Sequence, residues 1–466
     1  MWNIKNKHYD VLIIGAGIGG LFTAYQLKKT YGDTKSILVI DKGNELEKRT
    51  CPASKGKKCT HCSTCAITSG VAGSGAFSDA KFNIGTAYGG TLSEELGEDM
   101  AMDYITKVDN ILQSFSVHYP QIYKSNQELK LKCLQNNLQL LDMNVRHLGT
   151  DKNFITMQNL ITWLRENDVE IVPNAMCVDL HKLDQEDFHT AHILNNNVQD
   201  KIYANVVVVA TGRGGADFVK KLCDEYYIIT ESNSVDIGVR VEMKDSIWRE
   251  FSSKIYEPKI LCKTKTFEDK TRMFCFNHGG IVSAENNRGI ITANGHSFAD
   301  MSKKTDNCNF AILSSIHFTE PFNQPTEYAE NISKLANMIG NGNVIVQRFG
   351  DLIRGRRTND HRLNQNSVKP TLKATAGDIS LVLPHRILTN IIETIYALDK
   401  VAPGTANDDT LLYGCESKYY SLKPKHNGNF MVANNLYLIG DGSGITRGLS
   451  QAAAMGLYVA DNIILN

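Results

Sequence analysis

The feature that most constrains the fold is a glycine-rich turn near the N-terminus, residues 15–20 (Gly-Ala-Gly-Ile-Gly-Gly). The segment 9–14 before this turn, with its apolar run 11–14, is typical of a buried parallel strand, and an amphipathic helix is predicted after it. A second predicted strand, residues 36–40, ends on Asp41, which lies about 20 positions beyond the last glycine. This order of elements, a strand, a glycine turn, a helix and a second strand that ends on an acid, is typical of a βαβ unit. It predicts that the unit binds a dinucleotide.

Each part of the predicted unit has a physical role. Gly15 permits the tight turn, Gly17 lets the backbone approach a pyrophosphate, and Gly20 lets the helix and the strand pack closely. Asp41 is expected to accept hydrogen bonds from a ribose, which either FAD or NAD would supply. The candidate cofactor-binding residues of this region are Gly15, Gly17, Ile18, Gly19, Gly20, Asp41 and Lys42.

The chain of 466 residues is long enough for two or three folding units. Its 50 basic and 50 acidic residues balance, which argues against a nucleic-acid or membrane-surface partner. Every apolar run is far shorter than the ~20 residues of a membrane span, and the N-terminus has no recognisable secretion signal. We therefore expect no membrane partner and a cytoplasmic protein, in which the 11 cysteines do not form a disulfide framework.

A dinucleotide-domain pattern returns near the C-terminus. The predicted strand 436–439 leads into the turn Gly440-Asp441-Gly442, and a predicted helix spans 449–464. In FAD proteins of this kind the acid of the turn binds a ribityl hydroxyl, and the helix directs its N-terminus at the pyrimidine edge of the flavin. The positive end of that helix stabilises the negative charge of the reduced ring. Together the two glycine segments predict FAD rather than NAD.

Several further stretches form a recognisable set with these segments. They are Cys51-Pro52 with the downstream cysteines, 73–82, 294–297, 309–313, 350–357, 377–386, 411–414 and 440–454. With this set the chain resembles the bacterial family of uncharacterised FAD-dependent (NAD(FAD)-utilising) dehydrogenases, over nearly its whole length. The resemblance implies an α/β fold, in which a glutathione-reductase-type FAD-binding Rossmann domain is assembled from discontinuous segments around an inserted mixed α+β substrate domain. It also implies reductase or dehydrogenase activity, without indicating a substrate.

The order of the predicted elements divides the chain into five segments. Residues 235–350 have fewer helical stripes than the flanking parts and many short β-prone runs, which is why a substrate domain is predicted there. The predicted segments are 1–92 (first FAD-binding part with the cysteine-rich loop), 93–150 (helical insertion), 151–234 (second FAD-binding part), 235–370 (substrate domain) and 371–466 (third FAD-binding part).

Four cysteines, Cys51, Cys59, Cys62 and Cys65, are clustered in the sequence. Thiolates with this spacing can surround one compact metal centre, and the neighbouring lysines favour the thiolate form. An iron–sulfur cluster and a zinc ion with four cysteine ligands are both compatible with the spacing. The remaining interpretations are a redox-active Cys-x2-Cys pair and no special role. The metal interpretations are favoured, without a choice between the two metals.

The remaining candidates follow from their position. His278 and His296 lie in glycine-flanked turns of the predicted substrate domain, and both are candidate proton donors because imidazole titrates near neutral pH. The basic group Arg354, Arg356 and Arg357 is better explained by a salt-bridged surface than by a substrate clamp. The segment 75–79 is expected to run along the flavin, as in related FAD folds. The further cofactor-binding candidates are Gly75, Ser78, Asp79, Cys177, Thr211, Gly212, Gly440, Asp441, Gly448 and Gln451.

These features predict a FAD-dependent oxidoreductase that carries out two-electron hydride transfer on a small-molecule substrate. The sequence shows no second glycine fingerprint, so the expected electron source is NAD(P)H visiting the same site or an electron-donor protein. The alternatives are a flavin monooxygenase, and a non-catalytic FAD-binding or sensing protein with a structural four-cysteine site. Neither the substrate nor the oligomeric state follows from the sequence.

Overall fold

The structure, a computed structural model, describes residues 4–465 except 52–59, 61, 79, 118, 143, 184–185, 197, 232, 288, 298–300, 319–320 and 323. The chain divides into two compact units, each assembled from separated segments. Unit 1 comprises residues 1–122, 143–231 and 421–466, and unit 2 comprises residues 123–142 and 232–420.

The elements are numbered in chain order. The helices are α1 (Ile18–Tyr31), α2 (Leu92–Leu96), α3 (Glu98–Phe115), α4 (Gln127–Leu134), α5 (Thr150–Glu166), α6 (Ala216–Glu225), α7 (Arg249–Lys254), α8 (Pro325–Ile339), α9 (Phe349–Ile353), α10 (Asp360–Gln365), α11 (His385–Asp399) and α12 (Leu449–Asn462). The strands are β1 (His8–Ile14), β2 (Ile37–Ile40), β3 (Lys81–Asn83), β4 (Leu138–Leu140), β5 (Val145–His147), β6 (Glu170–Val172), β7 (Ala175–His181), β8 (His189–Asn195), β9 (Val198–Val209), β10 (Thr230–Glu231), β11 (Val235–Lys244), β12 (Ile260–Lys263), β13 (Lys270–Asn277), β14 (Ile281–Asn287), β15 (Ile290–His296), β16 (Asn307–Ile316), β17 (Ile345–Arg348), β18 (Thr375–Ala376), β19 (Leu411–Lys418), β20 (Lys423–Pro424), β21 (Met431–Ala433) and β22 (Leu436–Leu438).

The main sheet of unit 1 has the strand order β21-β22-β9-β1-β2-β6. Strand β1 pairs in parallel with β2 and β9, and β22 pairs in parallel with the other side of β9. Side chains of β1 alternate between two hydrophobic cores: Val11 and Ile13 belong to one, and Leu12 and Ile14 to the other. A strand buried on both faces requires a continuous apolar run, which explains residues 11–14.

Helices α1 and α12 lie against each other and belong to the same hydrophobic core of unit 1. A Cβ at Gly456 would lie 2.4 Å from the carbonyl oxygen of Gly19. The hydroxyl of Thr23 donates to the carbonyl oxygens of both residues, at 2.8 Å to Gly19 and 3.2 Å to Gly456. Small residues therefore let the two backbones approach closely, so the N-terminal and C-terminal segments share one core.

Unit 2 contains an eight-stranded sheet with the order β18-β17-β19-β11-β16-β13-β12-β4. Its central strand β11 pairs antiparallel with β16 and β19. The apolar residues of β11, such as Ile237 and Val239, pack into one core with Ile391 and Ile395 of α11. The hairpin of β14 and β15 forms a separate two-stranded sheet.

The two units differ from the predicted division of the chain. The predicted insertion 93–150 is split: α3 packs into the core of unit 1, whereas α4 and β4 lie in unit 2 because β4 pairs with β12. The predicted substrate domain 235–370 extends to residue 420, because β19 pairs with β11 and α11 packs on the same sheet. The third segment of unit 1 accordingly begins at 421 rather than at 371.

Helix length and polarity bear on membrane insertion. The longest described helix, α3, has 18 residues and carries charged side chains such as Glu98 and Asp99 in its first turn. Among the described helices, none is both long and apolar enough to span a bilayer.

Candidate functional site

The carboxyl ends of β1, β9 and β22 lie at one edge of the unit 1 sheet, and a glycine turn follows each of them. A Cβ at Gly15, whose φ is +112°, would lie 2.4 Å from the carbonyl oxygen of Ala210. A Cβ at Gly442 would lie 3.1 Å from the carbonyl oxygen of Gly212. The three turns are therefore in contact. The structure brings together the glycine segments that the sequence predicts to bind one cofactor.

The first turn leads directly into helix α1, with Gly17 as its N-cap. The nearest atom to a Cβ at Gly17 would be the Cα of Gly73, at 3.9 Å, so this side of the turn is open. The N–H groups of the first helical turn, at Ile18 and Gly19, have no partner within the helix. Open backbone next to these donors, at the positive end of a helix, suits the pyrophosphate of a dinucleotide.

Asp41 follows β2, and its carboxylate joins two loops. The Oδ2 atom accepts a hydrogen bond from the N–H of Ala16 at 3.0 Å, and Oδ1 accepts one from the N–H of Gly43 at 2.8 Å. Two carboxylate oxygens offer about four acceptor positions, so Asp41 keeps capacity for ribose hydroxyls. The ammonium of Lys42 donates to the carbonyl oxygen of Gly214 at 3.2 Å, so Lys42 joins the end of β2 to the second turn.

Asp441 lies in the third turn, with its carboxylate half-buried. The hydroxyl of Thr446 donates to Oδ1 at 2.8 Å, and the Nε atom of Arg213 lies 3.7 Å from Oδ2. Desolvation by burial raises the pKa of Asp441, although Arg213 and the Thr446 hydrogen bond act in the opposite direction. A ribityl hydroxyl that donates to this carboxylate would stabilise its ionised form.

The Asp441→Asn substitution is expected to stabilise the FAD-free protein while weakening FAD binding about tenfold, because the hydrogen bond to a charged group is lost. The folded chain has the higher pKa, so ionising Asp441 costs folding free energy as the pH rises through that pKa. The cost is absent below the unfolded value of about 3.9. In thermal unfolding of the variant without FAD, we expect a rise in Tm on the order of 1–2 °C at neutral pH. The rise should shrink at about pH 4.5, and an equal rise at both pH values would contradict this origin.

The N-terminal end of α12 is tied to the segment 88–92. The side chain of Gln451 donates to the carbonyl oxygen of Tyr88 at 3.1 Å and accepts from the N–H of Leu92 at 3.3 Å. The structure thus engages Gln451, predicted to bind the cofactor, with the backbone of this segment. Gly448 is the N-cap of α12 and supplies no capping side chain. The first N–H groups of α12 are therefore available to a ligand, as the flavin prediction requires.

The segment 73–78 lies against the first turn, since a Cβ at Gly73 would lie 2.8 Å from the Cα of Gly17. Ser78, predicted to contact the cofactor, bonds within its own loop: its hydroxyl donates to the carbonyl oxygen of Gly75 at 2.7 Å and accepts the N–H two residues on. Asp79 lies outside the described residues. The segment thus lies beside the dinucleotide turn, and these bonds of Ser78 stabilise the shape of the loop.

Arg49, which has no motif to mark it in the sequence, organises the loop 66–73 that follows the clustered cysteines. Its side chain is buried and lies over the ring of Phe77, 4.6 Å from the centroid. Burial lowers the pKa of Arg49 to about 10. The guanidinium donates four hydrogen bonds of 2.7–2.9 Å to the carbonyl oxygens of Ala66, Ile67, Val71 and Gly73. No sequence signal marks this role, because a basic residue in a loop is typical of the surface.

The four clustered cysteines are only partly described, because Cys59 lies outside the described residues. Cys51 is half-buried, and Cys62 and Cys65 are exposed. In the described part of the chain, these three sulfurs do not all lie within 4.8 Å of one another. Partial burial acts to raise the pKa of Cys65, but hydrogen bonds from the following turn and the charge of Arg49 outweigh it and lower the pKa. The thiolate form is favoured, and the metal interpretation stays a prediction.

Thr211 opens the second glycine turn. Its Oγ1 atom is buried and has no hydrogen-bond partner among the described residues. Beside it, Gly212 has a φ of +60°, and a Cβ there would meet no described atom within 4 Å. An unpartnered buried hydroxyl next to open backbone suits a polar ligand, so this turn fits FAD.

Cys177, also predicted to bind the cofactor, lies in β7. Its thiol is buried and donates to the carbonyl oxygen of Asp179 at 3.3 Å. Burial raises the pKa of the Cys177 thiol to about 12. The side chain is therefore engaged within its own strand as a neutral thiol, which leaves the backbone as the part of Cys177 suited to the predicted contact.

The two candidate proton donors lie at one end of the β14–β15 hairpin in unit 2. The Nδ1 atom of His278 is bonded to Oδ1 of Asp245 at 2.6 Å, and the same oxygen accepts the N–H of Gly279 at 3.1 Å. His296 ends β15, pairs with Ile281 and is exposed. A carboxylate at Nδ1 fixes the ring tautomer and leaves Nε2 to exchange a proton. This geometry favours His278 as the donor.

Strand β11 carries buried charges that its sequence pattern does not predict. Arg240 and Glu416 of the neighbouring strand β19 are both fully buried, with 3.6 Å between Nη1 and Oε2. The Nε atom of Arg240 donates to Oδ1 of Asn309 at 2.8 Å. Alternating polar residues in a strand are typical of a solvent-facing side. Only the pairing of β11 on both edges and the cover over its polar side show that this side is buried.

Arg354 and Arg356 of the basic group at 354–357 are paired with acids. A nitrogen of Arg354 lies 2.7 Å from Asp408, and Nε of Arg356 donates to Asp351 at 2.7 Å. The pairing supports a salt-bridged surface at this position.

Two parts of the chain match known protein families. Residues 13–76 match an NAD(P)-binding Rossmann-like domain, and residues 235–419 match the family described as FAD-dependent protein, C-terminal domain-like. The second match coincides with the main segment of unit 2. The predictions of an α/β fold with a Rossmann-like domain, of FAD as cofactor and of a FAD-dependent oxidoreductase are confirmed at this level. The glutathione-reductase type stays a prediction.

The chain is also similar to individual proteins. An uncharacterized protein from Clostridium beijerinckii is 23% identical over 474 residues, which cover 97% of this chain and 80% of that protein. Aklavinone-11 hydroxylase, solved with FAD and aklavinone, has a TM-score of 0.39 and 12% identity, and the match covers 97% of this chain and 61% of the hydroxylase. A flavoprotein/dehydrogenase from Cytophaga hutchinsonii has a TM-score of 0.37 and 10% identity, with 97% and 75% covered. Structural similarity this low carries no argument about function.

Proposed function

We propose that this FAD-dependent oxidoreductase is a dehydrogenase or reductase of the NAD(FAD)-utilising type, which carries out two-electron hydride transfer on a small-molecule substrate. One observation carries the proposal: three glycine turns, the N-terminus of α1 and the carboxylates of Asp41 and Asp441 belong to one edge of the unit 1 sheet. This edge is built from three separated chain segments, which supports the proposal that unit 1 is a glutathione-reductase-type FAD domain.

The groups at this edge match the chemical parts of FAD. The N–H donors at the start of α1 suit the pyrophosphate, and Asp41 suits the ribose hydroxyls. Asp441 suits the ribityl chain, and the buried hydroxyl of Thr211 offers a further polar contact. The N-terminus of α12 has the sign needed to stabilise negative charge on the reduced ring.

When bound, FAD supplies the hydride chemistry. The residues of unit 1 hold and orient the cofactor. His278 is the proposed proton donor, through Nε2. Asp245 orients the ring through Nδ1, at 2.6 Å. The pair thus resembles a general acid–base group held by a carboxylate.

The proposed electron source is NAD(P)H that visits the flavin transiently, or a donor protein. A single glycine fingerprint in the sequence supports a shared nicotinamide site rather than a separate nicotinamide domain. The four-cysteine iron–sulfur or zinc centre also remains a proposal, as a route for electrons or a brace for the loop. Iron, zinc and labile-sulfide analysis of anaerobically purified protein distinguishes these interpretations.

Anaerobic spectroscopy of the purified protein tests the proposed function. We expect about one FAD per chain, with flavin bands that bleach with NADH, NADPH or a reduced substrate and recover with an electron acceptor. Rapid reoxidation by air with a hydroxylated product would instead identify a monooxygenase. Bound flavin that no donor reduces would indicate a sensing protein, and absence of flavin after flavin-replete expression would remove the proposal.

A pair of matched histidine variants tests whether His278 is the proton donor. His278→Asn is expected to bind FAD as the wild type does and to slow turnover with the identified substrate about 100-fold. His361→Asn, an exposed position in the same unit, is expected to leave turnover unchanged. Equal turnover of the two variants would contradict the role of His278.

A further inference from the structure

Three side chains of one hairpin in unit 1 are arranged like metal ligands. Asp179, His181 and His192 each offer a ligand atom, and these atoms all lie within 4.8 Å of one another. Among the described residues, no other three His, Cys, Asp or Glu side chains meet this condition. We propose that this set binds a divalent transition-metal ion of the zinc class, at a site separate from the cysteine cluster.

The pairing of β7 with β8 creates the arrangement. Asp179 lies directly opposite His192, and His181 follows two residues later in β7. Side chains two positions apart in a strand share a face, and directly opposite residues have Cβ atoms about 4.5–5.5 Å apart. A register shift between Cys177 and Asp179 marks a bulge. Cys177, before the bulge, is buried, whereas Asp179 and His181, after it, are half-exposed. The bulge therefore lies where the side chains of the ligand set begin to face outward.

The distances within the set suit one ion. The Oδ2 atom of Asp179 and the Nδ1 atom of His181 lie 3.7 Å apart, beyond hydrogen-bond range. Ligand atoms around a tetrahedral ion with bonds of about 2.0–2.1 Å lie roughly 3.4 Å apart. The rings of His181 and His192 are stacked with centroids 5.2 Å apart. Small rotations of these side chains would therefore complete three bonds to a central ion.

The other oxygen of Asp179 is held from outside the set. Its Oδ1 atom accepts a hydrogen bond from Nζ of Lys221 in α6 at 2.9 Å. Lys221 also lies 3.3 Å from Glu225, so two carboxylates share its charge. Because Lys221 bonds to Oδ1, the Oδ2 atom of Asp179 is left for a metal ion. Lys221 then orients the carboxylate, as hydrogen bonds from residues around a metal site commonly orient its ligands.

The donor set determines the class of ion. Two imidazole nitrogens and one carboxylate oxygen suit zinc, cobalt, nickel or copper better than magnesium or calcium, which favour oxygen ligands. The side chains of Asp179 and His181 are 38% and 39% exposed, so water can complete the coordination. Binding would join β7 to β8, and through Lys221 it would couple the hairpin to α6.

Zinc titration of the FAD-loaded full-length protein, after chelator treatment, tests this proposal. The thiols of the cysteine-rich loop also bind zinc, so the comparison uses variants that share those thiols. Wild-type protein is expected to bind one equivalent more than His192→Ala, as measured by calorimetry. His181→Ala and Asp179→Asn are expected to weaken binding at this site at least tenfold, whereas His361→Ala should match the wild type.

The readouts are designed to exclude unfolding as the cause. Far-UV circular dichroism and FAD content should be the same in all variants, because the three ligands are partly exposed side chains. Asp179→Asn nearly preserves the shape of its residue, so it decides the result if a histidine variant folds poorly. Wild-type zinc stoichiometry and affinity in folded Asp179→Asn, His181→Ala and His192→Ala proteins would overturn the proposal.

Discussion

Purified Gly20→Ala protein is expected to contain little FAD, with its affinity for FAD reduced about 10- to 100-fold. A Cβ at position 20 would lie 2.1 Å from the carbonyl oxygen of Gly15 and 3.1 Å from Cγ2 of Ile13. The first contact is too short for non-bonded atoms, so α1 must move away from the turn. Overpacking of this kind costs about 1–3 kcal/mol, which corresponds to the expected loss of affinity. Flavin absorbance per chain and FAD titration of the FAD-free protein measure the effect.

Gly428→Ala is the matched control for this substitution. Gly428 is exposed in unit 1, and a Cβ there would meet nothing within 4 Å. The control is expected to retain full FAD content, and circular dichroism should show the same helix content in both variants. If folded Gly20→Ala bound FAD as tightly as Gly428→Ala, the first turn would not be the pyrophosphate site.

Removal of the Arg49 side chain is expected to lower the free energy of unfolding of unit 1 by about 3 kcal/mol. The Arg49→Ala variant leaves four carbonyl oxygens of the loop without their hydrogen-bond donor. A buried polar group without a partner costs about 1–3 kcal/mol, and the loop can relax to recover part of the total. The expected decrease in Tm is on the order of 6–12 °C, followed by the release of FAD fluorescence on heating.

Two further variants separate charge from geometry at this position. Arg49→Lys keeps a positive charge, but its single ammonium group cannot reproduce the planar fork of the guanidinium. It is expected to have an intermediate Tm. Lys48→Ala removes an exposed neighbour and should change stability by at most about 0.5 kcal/mol. An Arg49→Ala protein as stable as Lys48→Ala would show that the loop does not depend on the buried cation.

The dinucleotide-binding part of the fold is predictable from the sequence because its signals are local. The strand before the first turn, the helix that begins at Ile18 and the strand that ends before Asp41 all appear within about 35 residues. Helix α3 is similarly evident from its apolar stripe. In these segments the period of apolar residues and the glycine pattern indicate the same structure.

The extent of unit 2 is not predictable in this way, because it depends on pairing between distant strands. Strand β19 belongs to unit 2 through its pairing with β11, and β4 through its pairing with β12. The local sequence of a strand does not specify its partner. The prediction therefore ended the substrate domain at 370, before the strand that completes it.

The missed site residues also depend on tertiary structure. Arg49 acts through four backbone carbonyls that only the folded loop brings together. His192 joins Asp179 and His181 through a cross-strand register that contains a bulge. Gln451, predicted to bind the cofactor, also bonds to the backbone of residues 88–92, which its position in the motif does not indicate. The spacing of these residues in the sequence does not indicate any of these contacts.

The division of unit 1 into separated segments has a consequence during synthesis on the ribosome. A chain emerges from its N-terminus at about 5–20 residues per second, so residues 421–466 follow all of unit 2. Until β22 emerges, the C-terminal part of β9, residues 207–209, has a neighbouring strand only on its β1 side, and α1 lacks the helix that covers its small residues. An open strand edge is a template for association with other chains. The edge is therefore completed only after residues 421–466 have emerged.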